Sequence, residues 1–513
     1  MMYADDLGLG DVGLYGGSAC RIPTPHLDRL GAGGRVFHQG YATAATCTPS
    51  RLSLLTGRYP WRFERSGILA GDEALVIPPG VHTLPGLLRE AGYATGIVGK
   101  WHLGLGRGDL DWNRPIAGGP LDVGFDEAFV LAATNDRVPC VYLDDDRVAN
   151  LDPADPIEVS YDPDRPLTQR PIGRDAPESL SMPFSHGHDM TVVNGISRIG
   201  TMSGGESALW DDATMSDIFL ERALGFIESH ADRPFFLYQA FHQPHVPRVP
   251  NPRFIGATDL GPRGDVIVEL DWCVGQVVAK LEALGLAENT LLIFSSDNGP
   301  VLNDGYADGA VERCGTHRPA GPLRGGKYSL YDGGTHVPFI ANWPGVIEPG
   351  ESDAVICQVD LFASLARLVG RPVPDGQAGD SRDLLDVVLG ESEAGRDELV
   401  TEGFDGKTAL RSGPWVYIPP HPGPARDENT GIELGNADQP QLYHLGEDVG
   451  QARDRAADKP EVLRRLELRW REQTGPAQRN TRHPTAASPP THRVPGRRPR
   501  RLPPQPEASR GAT

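Results

Sequence analysis

Apolar positions along this chain repeat with two different periods, and the two periods alternate. Leu27 and Leu30, behind Thr24-Pro25, have helical spacing with a capping residue and a first-turn proline, which puts His26 on the exposed face of that helix. A second helical stretch runs from Thr83 through Leu87 and Leu88, turns at Gly92, and feeds a strand-like Tyr93 to Val98 that ends in Gly99-Lys100-Trp101-His102. Met215 to His230 predicts a helix, and Pro234 to Ala240 the strand after it. Between Val266 and Leu284, the residues Leu270, Val274, Val277, Val278, Leu281 and Leu284 share one helical face, with Cys273 beside it as core. Thr290 to Ser296 then reads as a strand buried on both faces, and it stops at Asp297-Asn298-Gly299. Helices alternating with short buried strands predict an α/β fold, a mostly parallel sheet between helices.

The pattern breaks in two places. Residues 135 to 215 are rich in Pro, Asp and Gly and predict no long element. Beyond about residue 375, short strands at Thr408 to Leu410 and Trp415 to Ile418, then a helix from Pro460 to Trp470, predict a smaller antiparallel subdomain. The expected organisation is a catalytic domain over 1–374, a C-terminal subdomain over 375–476, and a tail over 477–513. That tail has eight arginines, one glutamate and no apolar periodicity, reads as a disordered extension, and is assigned no function.

Charge sharpens the picture. The chain carries a formal −20; the tail contributes +7, leaving −27 for the body, which excludes a body that binds nucleic acid as a whole. No apolar run is long enough to cross a bilayer, so no membrane span is expected. Six cysteines are too sparse and irregular for a disulfide framework or a zinc site, although a bridge or two stays open.

The candidate chemistry gathers where strands end and helices begin. In Cys47-Thr48-Pro49-Ser50-Arg51, continued to Arg58, the proline suits a first helical turn, and Leu52 and Leu55 supply an apolar stripe. Cys47 therefore lies at a helix N-terminus, where unpaired N–H groups and the helix dipole favour anions. On its own, a buried inert cysteine is the simpler reading. Asp5-Asp6 and Asp297-Asn298 each fall just past a strand end, and their hard oxygens suit calcium or magnesium, although singly each is an ordinary turn. Lys100 and His102, two apart at a strand end, are expected on one face. Phe241 to Pro247 offers His242 and His245, and Leu323-Arg324-Gly325-Gly326-Lys327 brings a lysine out of a glycine turn.

Taken together and in this order, these motifs resemble the sulfatase family, with its alkaline phosphatase-like fold, over about residues 1 to 475. The resemblance implies that a separate formylglycine-generating enzyme oxidises Cys47 to formylglycine, whose hydrate is the nucleophile. It implies that Asp5, Asp6, Asp297, Asn298 and residue 47 hold Ca2+, with Mg2+ possible. Arg51 would pair with the modified side chain and the metal ligands, and Lys100 and His102 would bind sulfate and orient the hydrate. His245 and Lys327 would serve the departing alcohol, with His242 in a supporting role. Attack on sulfur would be followed by His102-assisted loss of a proton from the second hydroxyl, re-forming the aldehyde and releasing sulfate.

Two features depart from the family. Asp332-Gly333-Gly334-Thr335-His336 stands where relatives commonly read Glu-Gly-Gly-x-Arg, which shortens the acid and loses a forked cation. Met1-Met2-Tyr3-Ala4 leads straight into Asp5, so much of one central strand is expected to be missing. An upstream start, with or without a secretion signal, is favoured over a truncated product, and compartment stays open between periplasmic or secreted and cytoplasmic. The expected reaction is hydrolysis of a small-molecule or saccharide sulfate ester, aryl or by preference carbohydrate. The alternatives are a formylglycine-dependent phosphodiesterase or phosphonate hydrolase, and an inactive metal-binding interaction protein.

Overall fold

The computed structural model describes residues 1–108 and 110–475; the predicted tail, 477–513, lies outside the described residues. Ten strands build the central sheet: β1 (Met2–Ala4), β2 (Arg35–Phe37), β3 (Ala94–Lys100), β4 (Glu127–Leu131), β5 (Tyr142–Asp144), β6 (Arg147–Val148), β7 (Phe235–Ala240), β8 (Leu292–Ser296), β9 (Phe339–Asn342) and β10 (Gly350–Ser352). Their order is β10-β2-β9-β8-β1-β7-β3-β4-β5-β6. The five middle strands, β8-β1-β7-β3-β4, are all parallel. Antiparallel pairs occur on both flanks of this block, at β8 with β9, β9 with β2, β4 with β5 and β5 with β6. β1 is the short central strand: Met2 pairs with Gln239 on one side and Phe294 on the other, and Ala4 reaches Ser296.

Six helices define the layers, α1 (Pro25–Ala32), α2 (Cys47–Thr56), α3 (Leu84–Glu90), α4 (Met215–Ser229), α5 (Pro262–Ala283) and α6 (Leu361–Leu368), and α7 (Pro460–Thr474) follows near the C-terminal end of the described residues. α1, α4 and α5 pack together on one face, and α2, α3 and α6 on the other. Alternation along the strands explains this: Tyr3 and Tyr238 meet Ser50 and Arg51 of α2, while Gly96 sits under the Phe226 ring of α4, where a Cβ would lie 2.5 Å from that ring.

Three sequence expectations change. Thr24 does not cap α1 in the usual way; its hydroxyl accepts from Gly13 N and donates to Asp28, tying α1 to the preceding loop. His26 is half-buried rather than on the surface, because its ring packs on Gly275 of α5. α2 is buried on every side, Ser50, Arg51 and Ser53 included, so an amphipathic stripe understates its enclosure. All six cysteines are free thiols.

Four antiparallel strands, β11 (Glu398–Glu402), β12 (Thr408–Ser412), β13 (Trp415–Ile418) and β14 (Gln441–His444), form a second, smaller sheet. Leu466 of α7 closes it by packing with Leu399, Leu410, Tyr417 and Leu442. No helix among the described residues is long and apolar enough to cross a membrane.

Candidate active site

The carboxyl ends of the five parallel strands open on one side of the sheet, and four of them deliver the chemistry. Asp5 and Asp6 follow β1, Lys100 ends β3 with His102 just beyond, His242 and His245 follow β7, and Asp297 and Asn298 follow β8. A crevice at such ends is where open α/β sheets bind ligands. α2 approaches the same point by its N-terminus, and its first residue is Cys47.

Three carboxylates crowd that point. Ligand atoms of Asp5, Asp6, Cys47 and Asp297 all lie within 4.8 Å of one another, and all four residues are buried. Asp6 N donates to Asp297 Oδ1 at 3.1 Å, Asn298 Nδ2 donates to Asp6 Oδ1 at 2.7 Å, and Cys47 Sγ is 3.5 Å from Asp5 Oδ1. Asn298 Oδ1 is buried with no hydrogen-bond partner among the described residues. Burial raises the Asp5 carboxyl, helped by Asp297 and opposed by Lys100; burial also raises Asp6, opposed by Lys327. An orphaned amide oxygen beside three converging carboxylates is a hard, oxygen-rich donor set, and it fits a calcium- or magnesium-sized cation.

Cations frame the cluster. Arg51, fully buried, donates through Nε at 3.1 Å and Nη2 at 2.8 Å to Asp297 Oδ2, and its Nη2 lies 3.7 Å from Asp5. Burial pushes the Asp297 carboxyl up, yet Arg51 and then Lys100 outweigh it and leave it lowered. Lys100 Nζ reaches Asp5 Oδ2 at 2.6 Å, and Lys327 Nζ reaches Asp6 Oδ2 at 2.8 Å. Burial drives the Cys47 thiol well above its usual range, against the pull of Lys100 and Lys327. The unmodified cysteine is therefore held as a neutral thiol, a poor nucleophile.

Burial favours the neutral form of the histidines, and the tautomers of His102 and His245 follow from their bonds. His102 Nε2 faces Leu69 O at 3.1 Å, leaving buried Nδ1 as an acceptor without a partner among the described residues. Burial, then Lys100 and Arg137, hold His102 well below the usual histidine range. His245 Nδ1 faces Val246 O at 2.7 Å, and its Nε2 lies 3.9 Å from Asp6 Oδ2; burial, then Lys327 and Lys100, lower it too. His242, lowered to about 3 by burial, packs on Phe219 and touches none of the carboxylates. One expectation is corrected: Lys100 and His102 do not share a strand face. The strand stops at Lys100, and His102 takes a left-handed backbone, φ 54°, so the pair is set by the turn after the strand.

Asp332 and His336 bond to each other and to Tyr41. Asp332 accepts from Tyr41 at 3.0 Å and from His336 Nδ1 at 2.7 Å, while His336 Nε2 meets His38 O and its ring stacks on Tyr41. Their turn still braces the site through backbone: Gly299 N donates to Gly334 O at 2.8 Å, and a Cβ on Gly299 would fall 1.8 Å from Gly333 O. Sequence reasoning missed Asp304, which takes Lys327 Nζ at 2.8 Å, and the pair Asp136 and His188, joined at 2.9 Å. It also missed Gln358, which buttresses Tyr3 and Ser50 behind α2. A lone Asp, His or Gln in an irregular segment has no signature; for Asp304 the only hint was its position in the loop after Asn298.

Similarity to known proteins agrees with this geometry. The Sulfatase family model matches residues 2–371. N-acetylgalactosamine-6-O-sulfatase of Bacteroides thetaiotaomicron is 48% identical over 466 residues, covering 91% of this chain and 90% of that protein. Human arylsulfatase A is 31% identical, covering 91% of this chain and 85% of its own. A solved structure concerned with the metabolism of multiple glycosaminoglycans by Bacteroides thetaiotaomicron superposes with a TM-score of 0.90 at 47% identity, over 92% of this chain and 98% of that one. The chain therefore belongs to the sulfatase family and is a sulfuric ester hydrolase.

Proposed function

We propose that this enzyme removes a 6-O-sulfate from an N-acetylgalactosamine-containing saccharide, with residue 47 as formylglycine and calcium at Asp5, Asp6, Asp297 and Asn298. The observation that carries the chemistry is the convergence of Cys47, Lys100 and Lys327 on one carboxylate cluster at the ends of parallel strands. The substrate reading is supported by the 48% identity to N-acetylgalactosamine-6-O-sulfatase over most of both chains. A formylglycine-generating enzyme is the implied partner. Formylglycine, as its hydrate, supplies an oxygen nucleophile for sulfur, and the divalent ion supplies fixed positive charge beside it.

The chain's own residues do the remaining work. Arg51 clamps Asp297 through two N–H groups and so fixes the carboxylate nearest α2. Lys100 and Lys327 would bring two buried cations to the sulfate oxygens. His102 is neutral with Nδ1 free to accept, and Thr48 Oγ1, next to residue 47, donates to its carbonyl at 2.9 Å; it would take the proton in the second step. His245 and Lys327, on the Asp6 side, serve the oxygen of the departing alcohol.

The test is a panel of matched esters: N-acetylgalactosamine 6-sulfate, its 4-sulfate isomer, and its 6-phosphate. Turnover of the 6-sulfate above both others is expected. Preference for the phosphate would overturn the reading in favour of a phosphorus-ester hydrolase, and preference for the 4-sulfate would overturn the positional assignment.

A further inference from the structure

Lys327 is held by two carboxylates, and only one of them belongs to the metal cluster. Its Nζ lies 2.8 Å from Asp6 Oδ2 and 2.8 Å from Asp304 Oδ2, with the lysine side chain 2% exposed and Asp304 13% exposed. The second oxygen of Asp304 accepts the Tyr328 hydroxyl at 2.9 Å. Tyr328 is in turn fixed by its backbone, donating to Ala45 O at 2.7 Å, close to Cys47 in the chain, while Lys327 N donates to Pro300 O at 3.0 Å. Ligand atoms of Asp6, His245 and Asp304 lie within 4.8 Å of one another, so the carboxylate that braces Lys327 also adjoins the histidine placed on the same side.

Asp6 is shared, because it is also a proposed metal ligand. A carboxylate whose charge is drawn to a divalent ion has less of it left for a neighbouring ammonium. Asp304 lies outside the proposed ligand set, and Tyr328 holds it in place. A lysine is a compact charge on a flexible four-carbon stem, and one anchor leaves it free to swing where two anchors do not. Orientation of this kind matters most where the leaving oxygen develops the most charge. A sugar hydroxyl departs as a far more basic oxygen than a nitrophenol, and so needs that cation more.

We propose that Asp304 is a positioning residue that aims the Lys327 ammonium at the leaving-group oxygen, and thereby sets how poor a leaving group this sulfatase can expel. The proposal rests on the assignment of Lys327 to the leaving group made above. Asp304 itself touches neither sulfur nor nucleophile.

The experiment compares wild type, Asp304→Asn, Lys327→Ala and the double variant, each with residue 47 converted and each checked for an unchanged melting profile. Substrates are aryl sulfates running from 4-nitrophenyl to phenyl, plus N-acetylgalactosamine 6-sulfate. Asp304→Asn is expected to lower kcat for phenyl sulfate by about 10²-fold, the cost of about 1 Å of misplacement, and for 4-nitrophenyl sulfate by less than about tenfold, with KM little changed. In the Lys327→Ala background it should cost almost nothing further. Tyr328→Phe, which keeps the carboxylate but loosens its brace, should show the same trend more weakly.

A uniform loss across the aryl series, or full additivity with Lys327→Ala, would overturn the proposal. A rise in KM confined to the sugar would also overturn it, making Asp304 a saccharide contact. The aryl series does not depend on the natural sugar, so failure of wild type on N-acetylgalactosamine 6-sulfate would sink the substrate assignment and leave Asp304 tested. If Lys327→Ala itself shows no leaving-group dependence, the assignment of Lys327 fails and the proposal falls with it.

Discussion

Glu269 makes the stability of this enzyme depend on pH in a calculable direction. It sits on α5, 1% exposed, with Oε2 accepting from Asn251 N at a long 3.3 Å and Oε1 without a hydrogen-bond partner among the described residues. Burial pushes its carboxyl from the usual 4.5 up to about 7, against the pull of Ser216 and Asn251. A raised acid is stabilised in its protonated form in the fold. Its contribution is therefore complete below 4.5, where folded and unfolded chains are both protonated, and is lost as pH rises through about 7. At about 1.4 kcal/mol per pH unit, that separation amounts to about 3 kcal/mol, a large fraction of a typical folding free energy. Glu269→Gln keeps the shape and cannot ionise. The assay is urea unfolding of both proteins at intervals from pH 4.5 to 8.5, because the difference between them cancels every other titrating group. With rising pH the Glu269→Gln variant should gain steadily on the wild type, by about 3 kcal/mol over the range, with most of the change between about pH 5 and 7.5. Parallel curves would refute the reasoning, and a gain on lowering pH would reverse its sign.

Other predictions bear on the site and the sheet. Cys47→Ser, offering one hydroxyl and no second one for elimination, should accumulate a sulfated protein that does not turn over, visible by intact mass; sustained sulfate release would contradict the scheme. In Cys47→Ala protein, calcium should raise the unfolding midpoint, a stabilisation of about 2.7 kcal/mol at a hundredfold excess over its Kd, and Asp297→Asn should blunt that response. A midpoint indifferent to calcium and magnesium would count against the metal assignment. Gly99→Ala should cost about 3 kcal/mol or more in chemical denaturation, since φ there is +113° and the new Cβ would lie 1.8 Å from Ala240 O.

What the sequence made legible follows from how parallel strands are buried. β7 and β8 are largely buried, so each begins as an apolar run, and the polar residues just beyond the strand ends, His245, Asp297 and Asn298, are the ones that line the crevice. Cys47 was legible because a proline-containing first turn fixes a helix start. The turn that sets His102 was not, because positive φ at a non-glycine residue leaves no trace in hydrophobic pattern. Asp304, Asp136 and His188 act through contacts between segments far apart in the chain, and an irregular stretch gives no period from which to infer where its side chains go. Thr24 misled for a related reason: its hydroxyl had a tertiary partner, Gly13 N, that local capping rules do not see.

The central claim is that residue 47 becomes the nucleophile, and the most direct measurement is peptide mass spectrometry across Cys47 after co-production with an aerobic formylglycine-generating enzyme. The account predicts a peptide carrying an aldehyde or its hydrate in place of the thiol, with sulfatase activity rising in proportion to conversion. An unmodified thiol, under conditions that convert a control peptide, or full activity with that thiol intact, would contradict it.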